Sequence, residues 1–598
     1  MKGFIGSLFR SRVSQVILAL SLLGSVYLLA VGRFSDTSAL QWQRGHFYGA
    51  YFVDDRRLQS IDETPVPPSL AEQPKQETKK RYYSHKSFYA QRARERQQKL
   101  QRDGRATTTT AVSPAVSPRR TVNKTENSDT IFFHTAVLIT QPKGGVGIRI
   151  TSLQECGNKR TTKLRIGELQ IPLRKTTVHK LCPWFFAPHC SLVGYYATGA
   201  ITSNAEQPVP LPPHLPEFAE IYDNRRDQWK PLQLIDGRSA PAHSHRLAVC
   251  LQPMYLMADW PLIPNFFETW IGNGATIFYI YVHSISEEVD LMIKLYEAQK
   301  DIEVVRVNWP AVPTGKGDED DHNPNNRMYR TEVATAVNDC ILRSRATADL
   351  VVSSDLDEII APLNLKGGKE TLFDIIDDHR KVQTKKLRGK VENLPGAFLF
   401  RQSFAYAENN WFSISHPSQL SFDHYRSVDY ETKVWQRGYR SKVIYVPDRV
   451  FRAHVHDVIA FENRRWTTVV IDSDRARVLH FRQVNSKWMA RENVTGDSAV
   501  LQAAAAGWQA SYAARLDAVM KSETVNSQLV GAFNLTFSKP EWPNLGEQVL
   551  SEIESCREKN DEIKKDRCVT EWRCRSQMET LRPGQWVEPD SDAAWTVI

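Results

Sequence analysis

Between Leu247 and Ser353, strand-like apolar runs alternate with helix-like patterns. Thr276–Val282 reads Thr-Ile-Phe-Tyr-Ile-Tyr-Val, a composition that strongly favours a β-strand. Such an alternation is typical of a parallel sheet with helices on its faces, and ligands of these sheets bind beyond the carboxyl ends of the strands. We therefore predict an α/β, Rossmann-like domain, with these elements in order: strand Leu247–Leu251, helix Pro261–Ile271, strand Thr276–Val282, a helix beginning at Ser286, strand Ile302–Val307, helix Met328–Arg345 and strand Leu350–Ser353.

The fourth predicted strand ends in an acidic motif that contains Asp355 and Asp357. The same Asp-x-Asp spacing occurs at 318/320, 472/474 and 590/592, but only this copy directly follows an apolar strand of the alternation. Carboxylates at the rim of a sheet are costly to desolvate unless a positive group pairs with them. Hard oxygen ligands suit Mg²⁺ or Mn²⁺, and an imidazole in the set favours Mn²⁺. The alternative interpretation is an acidic turn that caps the next element.

A second polar group follows the predicted strand Lys442–Pro447 and contains His454 and His456. Alternation along a strand places these two side chains on one face. They are candidate metal ligands, or else a pair of surface histidines.

The apolar stretch Val13–Val31 carries no charge, and its 19 residues would span about 28 Å as a helix, roughly one bilayer core. Lys2, Arg10 and Arg12 precede it. The positive-inside rule then predicts a single-pass type II membrane protein, with a cytosolic tail at residues 1–12 and the long C-terminal part across the membrane. The alternative is a cleaved signal peptide with its cleavage site at Ala30–Gly32.

Differences in amino-acid composition divide the rest of the chain into a stalk, two domains and a tail. Polar, proline-punctuated sequence over 32–130 predicts a disordered stalk. We predict a small β-rich domain at 131–240, the α/β catalytic domain at 241–525 and a helical, cysteine-containing tail at 526–598.

The basic character of the chain belongs to the stalk. The net charge is +9, but Lys75–Arg120 alone holds thirteen Lys/Arg against three Asp/Glu, so the remainder sums to −1. A basic protein that binds nucleic acid is therefore disfavoured.

Eight cysteines and three glycosylation sequons agree with a lumenal body. No Cys-x-x-Cys pair suggests a zinc site. We predict local disulfides between Cys182 and Cys190 and between two of Cys556, Cys568 and Cys574; the sequons begin at Asn123, Asn493 and Asn534.

Taken together, these residues resemble glycosyltransferase family 92 over roughly Arg246–Arg482. His454 departs from the pattern, because a small residue is expected there. The matching pieces are Leu247–Tyr255, Phe278–Tyr281, Val289–Tyr296, Ala336–Cys340, Ser354–Glu358, Arg440–Pro447, His456 and His480–Arg482.

The resemblance implies a GT-A fold, a UDP-sugar donor (UDP-galactose), Mn²⁺ dependence and inverting transfer of the hexose to a glycan on a glycoprotein, glycolipid or polysaccharide. With the type II anchor it implies a lumenal catalytic part in the Golgi. The roles that we carry over are metal binding by Asp355, Asp357 and His456, nucleotide contacts by Pro253, Tyr255 and Asp355, and diphosphate contacts by Arg440 or Lys442.

The catalytic base is not decided by the sequence. Glu408 and Asp423 both lie between the acidic motif and His456, and either is a candidate. The competing functions are a catalytically inactive, membrane-tethered glycan-binding protein of the same fold and a metal-dependent hydrolase. The hydrolase would need a denser His/Asp cluster than the sequence contains.

Overall fold

The computed structural model describes residues 129–598 except 185–186, 205, 208–210, 213, 241, 315–321, 364–369, 387–393, 409–410, 482–493, 496–498, 523–524, 526–534, 540, 564–566, 569 and 582–585. The predicted anchor Val13–Val31, the stalk up to residue 128 and the asparagines of the three sequons lie outside these residues. Within the described part, no helix combines the length and apolarity needed to cross a bilayer.

Strands make up most of the described elements, and the α-helices lie between β9 and β15 and after β23. The strands are β1 Ile131–Thr140, β2 Val146–Glu155, β3 Lys163–Ile166, β4 Leu169–Pro172, β5 Arg174–Thr177, β6 Leu192–Ala200, β7 Phe218–Asp223, β8 Gln228–Asp236, β9 His245–Met254, β10 Ile277–Val282, β11 Ile285–Ser286, β12 Glu303–Asn308, β13 Ala348–Ser354, β14 Glu358–Pro362, β15 Leu394–Phe400, β16 Gln402–Tyr406, β17 Asp429–Glu431, β18 Lys442–Tyr445, β19 Val450–His454, β20 Asp457–Phe461, β21 Trp466–Val470, β22 Ala476–Phe481, β23 Val494–Thr495, β24 Trp586–Val587 and β25 Thr596–Val597. The α-helices are α1 Leu262–Gly272, α2 Glu287–Glu297, α3 Val333–Arg343, α4 Leu372–Lys386, α5 Ala499–Lys521, α6 Gly546–Ile563, α7 Arg575–Glu579 and α8 Ser591–Ala594. Short 3₁₀ turns lie at Pro324–Arg327, Ser344–Ala346, Pro417–Gln419, Asp423–Arg426, Pro447–Arg449 and Glu571–Cys574.

The first sheet is built from the N-terminal described strands in the order β4-β3-β7-β8-β1-β2-β6-β5. The C-terminal strand β25 pairs antiparallel with the start of β1. Ile131 and Ile598 exchange two backbone hydrogen bonds of 3.1 and 3.0 Å. The two ends of the described chain therefore meet in one sheet.

The second sheet contains the predicted α/β alternation and has the order β12-β10-β9-β13-β18-β15-β21. The first four strands in this order are mutually parallel, whereas β18 runs antiparallel to β13. The chain leaves β9 toward β10 on one side and returns to β13 on the other, which makes the β9/β13 boundary a topological switch point. A crevice at the carboxyl ends of strands beside such a point is where ligands bind in open α/β sheets.

The sheet elements follow the predictions closely, with one shortened helix. All six residues of β10 are buried, as expected for a central parallel strand. Helix α3 starts at Val333 and not at Met328, because Arg330 and Glu332 adopt left-handed φ values of 53° and 52°. Residues in that conformation cannot continue a right-handed helix.

The two sheets share a hydrophobic core. Phe132 and Leu153 of the first sheet lie in one buried cluster with Tyr281 and Val351 of the second. Between the sheets, the carboxylate of Asp339 on α3 accepts hydrogen bonds from Thr151 (3.0 Å), Tyr281 (2.6 Å) and Arg343 (2.6 Å). These contacts place the first sheet directly against the side of the second sheet.

The eight cysteines form four disulfides: Cys156–Cys182, Cys190–Cys568, Cys250–Cys340 and Cys556–Cys574. The prediction of a C-terminal pair is confirmed by Cys556–Cys574. The predicted Cys182–Cys190 bond is wrong, because closeness in sequence does not decide which Cβ atoms face each other. Cys190 instead ties the start of β6 to the C-terminal region, 378 residues away.

Candidate functional site

The acidic motif lies at the switch point of the second sheet. Asp355 follows β13, whose last residue Ser354 is in register with Leu251 of β9. Gln252, the next residue of β9, donates a side-chain hydrogen bond to the carboxylate of Asp355. The sequence analysis did not single out Gln252. The motif therefore occupies the position at which a parallel sheet holds a ligand.

A buried lysine neutralises two of the motif's carboxylates. Nζ of Lys442, the first residue of β18, lies 2.9 Å from Asp355 and 2.8 Å from Glu358. The side chain of Lys442 is 2% exposed. Burial alone would lower the pKa of Lys442, but the two carboxylates raise it above its usual value. Burial also raises the pKa of Glu358 to about 7, although Lys442 opposes that shift.

The third acid of the group, Asp357, is held by a histidine. Strand β22 runs antiparallel to β14, with His480 opposite Glu358. The imidazole of His480 therefore contacts Asp357 through Nε2 (3.0 Å) and Glu358 through Nδ1 (3.3 Å). The sequence analysis quoted His480 only as part of the family resemblance. The only sequence signal for this role was a histidine within an apolar strand pattern. The strand register that brings His480 to Asp357 leaves no pattern in the local sequence.

His456 lies in the turn between β19 and β20 and is buried. Its Nδ1 donates a 2.8 Å hydrogen bond to the carbonyl of Ser441, so the proton sits on Nδ1 and Nε2 carries the lone pair. Burial, helped by the charge of Lys442, lowers the pKa of His456 well below its usual value. A neutral imidazole with one nitrogen tied to a backbone carbonyl is the usual state of a metal-binding histidine.

The donor chemistry of these residues suits a divalent cation, but the atoms are not gathered around one point. Among the described residues, no group of three or more His, Cys, Asp or Glu side chains is arranged to hold a metal ion. Asp357 and His480 do lie together, and both are ordinary ligands of Mn²⁺. By their chemistry, the carboxylate of Asp357 and the imidazole of His456 fit such a cation, whereas Asp355 is paired with Lys442.

Arg440 is the second predicted diphosphate residue and differs from Lys442 in exposure. It is half-buried and has a φ of 83°, a left-handed conformation that is rare for a residue with a side chain. Its guanidinium lies 5.0 Å from the ring centres of both Phe404 and Trp435. Phe404 in turn lies 5.6 Å from the ring of His480. Arg440 therefore places a positive charge beside the acidic motif.

The predicted nucleotide residues Pro253 and Tyr255 are both buried. Tyr255 packs edge-on to His283, with 4.9 Å between ring centres, and belongs to a small apolar cluster with Val549 of α6. The proposed nucleotide contacts of Pro253 and Tyr255 stay predictions.

The two predicted base candidates lie at the surface. Glu408 is exposed beyond the end of β16. Asp423 is exposed in a 3₁₀ turn, where it pairs with Arg426 at 2.9 Å. The contacts described for the structure join neither carboxylate to the acidic motif. Their assignment as catalytic base also stays a prediction.

The part of the chain that contains this site matches a known protein family. Residues 245–520 match the model of glycosyltransferase family 92. Residues 245–520 are therefore similar to glycosyltransferase family 92, as the sequence motifs predicted.

Two Caenorhabditis elegans proteins are similar to the chain over part of their length. Glycosyltransferase family 92 protein F13G3.3 is 20% identical over 48% of this chain and 47% of its own length. Glycosyltransferase family 92 protein F59C6.8 is 24% identical over 33% of this chain and 34% of its own length. The chain thus spans about half or less of these relatives. Among solved structures, HddC from Yersinia pseudotuberculosis aligns with 39% of this chain and 92% of its own, at 11% identity and a TM-score of 0.18.

Proposed function

We propose that this chain is an inverting, metal-dependent glycosyltransferase with a GT-A-like fold that moves a hexose, galactose in the first instance, from a UDP-sugar to a glycan acceptor. The observation that carries the proposal is the placement of Asp355 and Asp357 at the β9/β13 switch point of a family 92 domain. Donor, metal and stereochemistry follow from the family resemblance and from the chemistry of the side chains.

Each residue of the site has a distinct task in this proposal. Asp357, oriented by His480, and the neutral imidazole of His456 are the metal ligands. A bound divalent cation supplies positive charge to the diphosphate of the leaving nucleotide. Arg440 adds a fixed positive charge beside it. Lys442 holds Asp355 in place for a contact with the donor, and its burial between two carboxylates makes it a positioning residue.

The acceptor hydroxyl must lose its proton as the new bond forms, and inverting transfer needs a carboxylate within hydrogen-bond reach of it. Glu408 and Asp423 are the candidates, and both are exposed. Acceptor binding would have to bring one of them to the reacting centre, since catalytic hydrogen bonds often tighten only in the substrate complex.

The location of the protein is part of the proposal. We infer a single-pass type II protein of the Golgi, anchored by Val13–Val31, with residues 32–598 in the lumen. The pairing of all eight cysteines supports an oxidising compartment.

One observation favours a second function. Lys442 already neutralises Asp355 and Glu358, which is the arrangement expected if no cation is needed there. A glycan-binding protein of the same fold without turnover is therefore the alternative.

Donor hydrolysis separates the two functions. Residues 129–598 would be secreted from a eukaryotic host and mixed with a panel of nucleotide sugars in Mn²⁺ or in EDTA, and released UDP would be measured. We expect release from one donor that requires metal and is lost in Asp357→Ala. The matched control is Asp474→Ala, which removes a carboxylate of the same Asp-x-Asp spacing from an exposed turn. No turnover of any donor, together with no Mn²⁺-dependent UDP binding by calorimetry, would overturn the transferase proposal and support the glycan-binding one.

A further inference from the structure

Three aromatic side chains meet beside the candidate site, and the first sheet and the catalytic domain both contribute to them. Trp184 comes from the segment between β5 and β6, whereas Tyr329 and His454 belong to the catalytic domain. The ring centre of Trp184 lies 5.5 Å from that of Tyr329 and 5.4 Å from that of His454. All three side chains are half-buried. We call Trp184, Tyr329 and His454 the aromatic patch.

Contacts with neighbouring side chains hold the aromatic patch in place. His179 stacks on Trp184, with ring centres 4.9 Å apart and planes inclined by 16°. The same imidazole contacts the buried carboxylate of Glu332 at 3.2 Å, and Thr335 donates a 2.6 Å hydrogen bond to that carboxylate. The disulfide Cys190–Cys568 belongs to the small cluster against which Trp184 and Tyr329 pack. The rings are therefore fixed before any ligand arrives.

The backbone under Tyr329 is strained. Arg330 and Glu332 both have left-handed φ values, and such residues persist only where surrounding contacts enforce them. The His179–Glu332 contact supplies that enforcement from the first sheet. Tyr329 directly precedes these residues, and its ring meets that of Trp184 in an edge-to-face contact.

The patch is continuous with the candidate active site. The rings of His454 and His456 are 5.7 Å apart, and the backbone N–H of His456 donates to Nδ1 of His454 at 3.3 Å. This hydrogen bond leaves the proton of His454 on Nε2, where it is a donor. A ligand lying on the patch would thus extend toward the residues assigned to the donor.

We propose that the aromatic patch is a binding subsite for the oligosaccharide acceptor, and that the first sheet supplies its central side chain, Trp184. The proposal rests on the proposed function. The apolar C–H face of a pyranose ring packs well against a flat aromatic face, and the hydroxyls at its edge need hydrogen-bond partners. The phenol of Tyr329 is a group of that kind. Arg330, whose guanidinium lies 5.2 Å from the ring centre of Tyr329, adds a positive charge beside the patch.

A glycan array tests the proposal without donor or metal. The secreted residues 129–598 would be applied in EDTA to a broad printed array of oligosaccharides, and the best binder would then be titrated by calorimetry. We expect the wild-type protein to bind at least one oligosaccharide class and Trp184→Ala to bind it about tenfold or more weakly, as for an aromatic hot spot. Trp184→Phe, which keeps a stacking ring, should retain part of the affinity.

The chain offers a matched control for Trp184. Trp229, in β8 of the same sheet, is half-buried and packs on Tyr222 and Arg165. Trp229→Ala should bind within about twofold of wild type, as a substitution away from an interface hot spot does. Because Trp184→Ala also removes a side chain that packs against the cluster at Cys190–Cys568, Tyr329→Leu is the second variant, and it too should weaken binding.

Three results would overturn the subsite: no oligosaccharide bound by the wild-type protein, full affinity in Trp184→Ala and Tyr329→Leu, or equal losses in Trp184→Ala and Trp229→Ala. These outcomes are separate from the fate of the proposed function. Metal-dependent UDP release that is lost in Asp357→Ala would stand even if the array showed no binding. Binding that depends on Trp184 would likewise stand without any turnover.

Discussion

Removing the ammonium group of Lys442 is the sharpest test of the charge arrangement around the acidic motif. In Lys442→Met the apolar stem remains, but Asp355 and Glu358 lose a partner that lies 2.9 and 2.8 Å away. At an effective dielectric constant near 20, each attraction is about 6 kcal/mol. Part of this is offset, because the variant no longer desolvates an ammonium group. Breaking a buried pair in this way costs about 3–5 kcal/mol net.

The loss should depend on pH in a defined direction. Burial raises the pKa of Glu358 to about 7 while Lys442 opposes the shift, so removing Lys442 raises that pKa further. Below that pKa the Glu358 carboxyl is protonated and neutral, so only the carboxylate of Asp355 is left charged without its partner. We therefore expect Lys442→Met to be more destabilising at pH 8 than at pH 5.5.

Urea unfolding of residues 129–598, followed by tryptophan fluorescence at the two pH values, measures both effects. Lys521→Met is the matched control, because Lys521 pairs with Asp517 on the exposed face of α5, and an exposed pair contributes less than about 1 kcal/mol. Equal shifts of the midpoint for the two variants, or a loss at pH 5.5 as large as at pH 8, would refute the buried triad.

Three further predictions concern other parts of the described chain. His480→Ala, which removes the imidazole that orients the motif, should lower metal-dependent UDP release by about 10–100-fold; an unchanged rate would contradict the role given to it. A Cβ on Gly194 would lie 1.6 Å from Oγ1 of Thr335, so Gly194→Ala should lower the free energy of unfolding by about 1–3 kcal/mol. At Gly507, an exposed helix position, an added Cβ would meet open space, so Gly507→Ala should raise the free energy of unfolding by about 0.5–1 kcal/mol. Urea unfolding that shifts in the same direction for both glycine variants would contradict these two predictions. Burial raises the pKa of Asp259 from 3.8 to about 7, so the unfolded chain releases this proton at lower pH than the folded protein, and the stability of the wild type falls between those pH values. The free energy of unfolding of Asp259→Asn should therefore exceed that of the wild type by up to about 4 kcal/mol at pH 8 and by nothing at pH 3.5. A difference that does not change with pH would count against this prediction.

Local sequence patterns were sufficient for the α/β elements of the second sheet and for the place of its acidic motif. The run Thr276–Val282 contains β10, and Leu350–Ser353 lies within β13. These elements are set by burial periodicity and β-propensity, both of which act over a few residues. The motif could be located because its position depends only on the strand before it.

The partners of the motif could not be predicted, because they depend on pairings between distant segments. His480 reaches Asp357 through the register of β14 with β22, and Lys442 reaches Asp355 through β18. Strand order and register in such a sheet are decided by tertiary packing, and the local pattern leaves many arrangements open. The same holds for the Cys190–Cys568 bond, whose two cysteines lie in different parts of the sequence.

The meeting of Ile131 and Ile598 in the first sheet makes the described fold a nearly closed loop of chain. A short flexible linker could join these two residues, and new ends could be opened at an exposed turn such as that between β7 and β8, where residues 224–228 are all exposed. Circular permutants of this kind would keep every sheet pairing while changing the order in which the strands leave the ribosome. The domain could then be displayed on a carrier from either face, with the acidic motif directed toward the carrier or away from it.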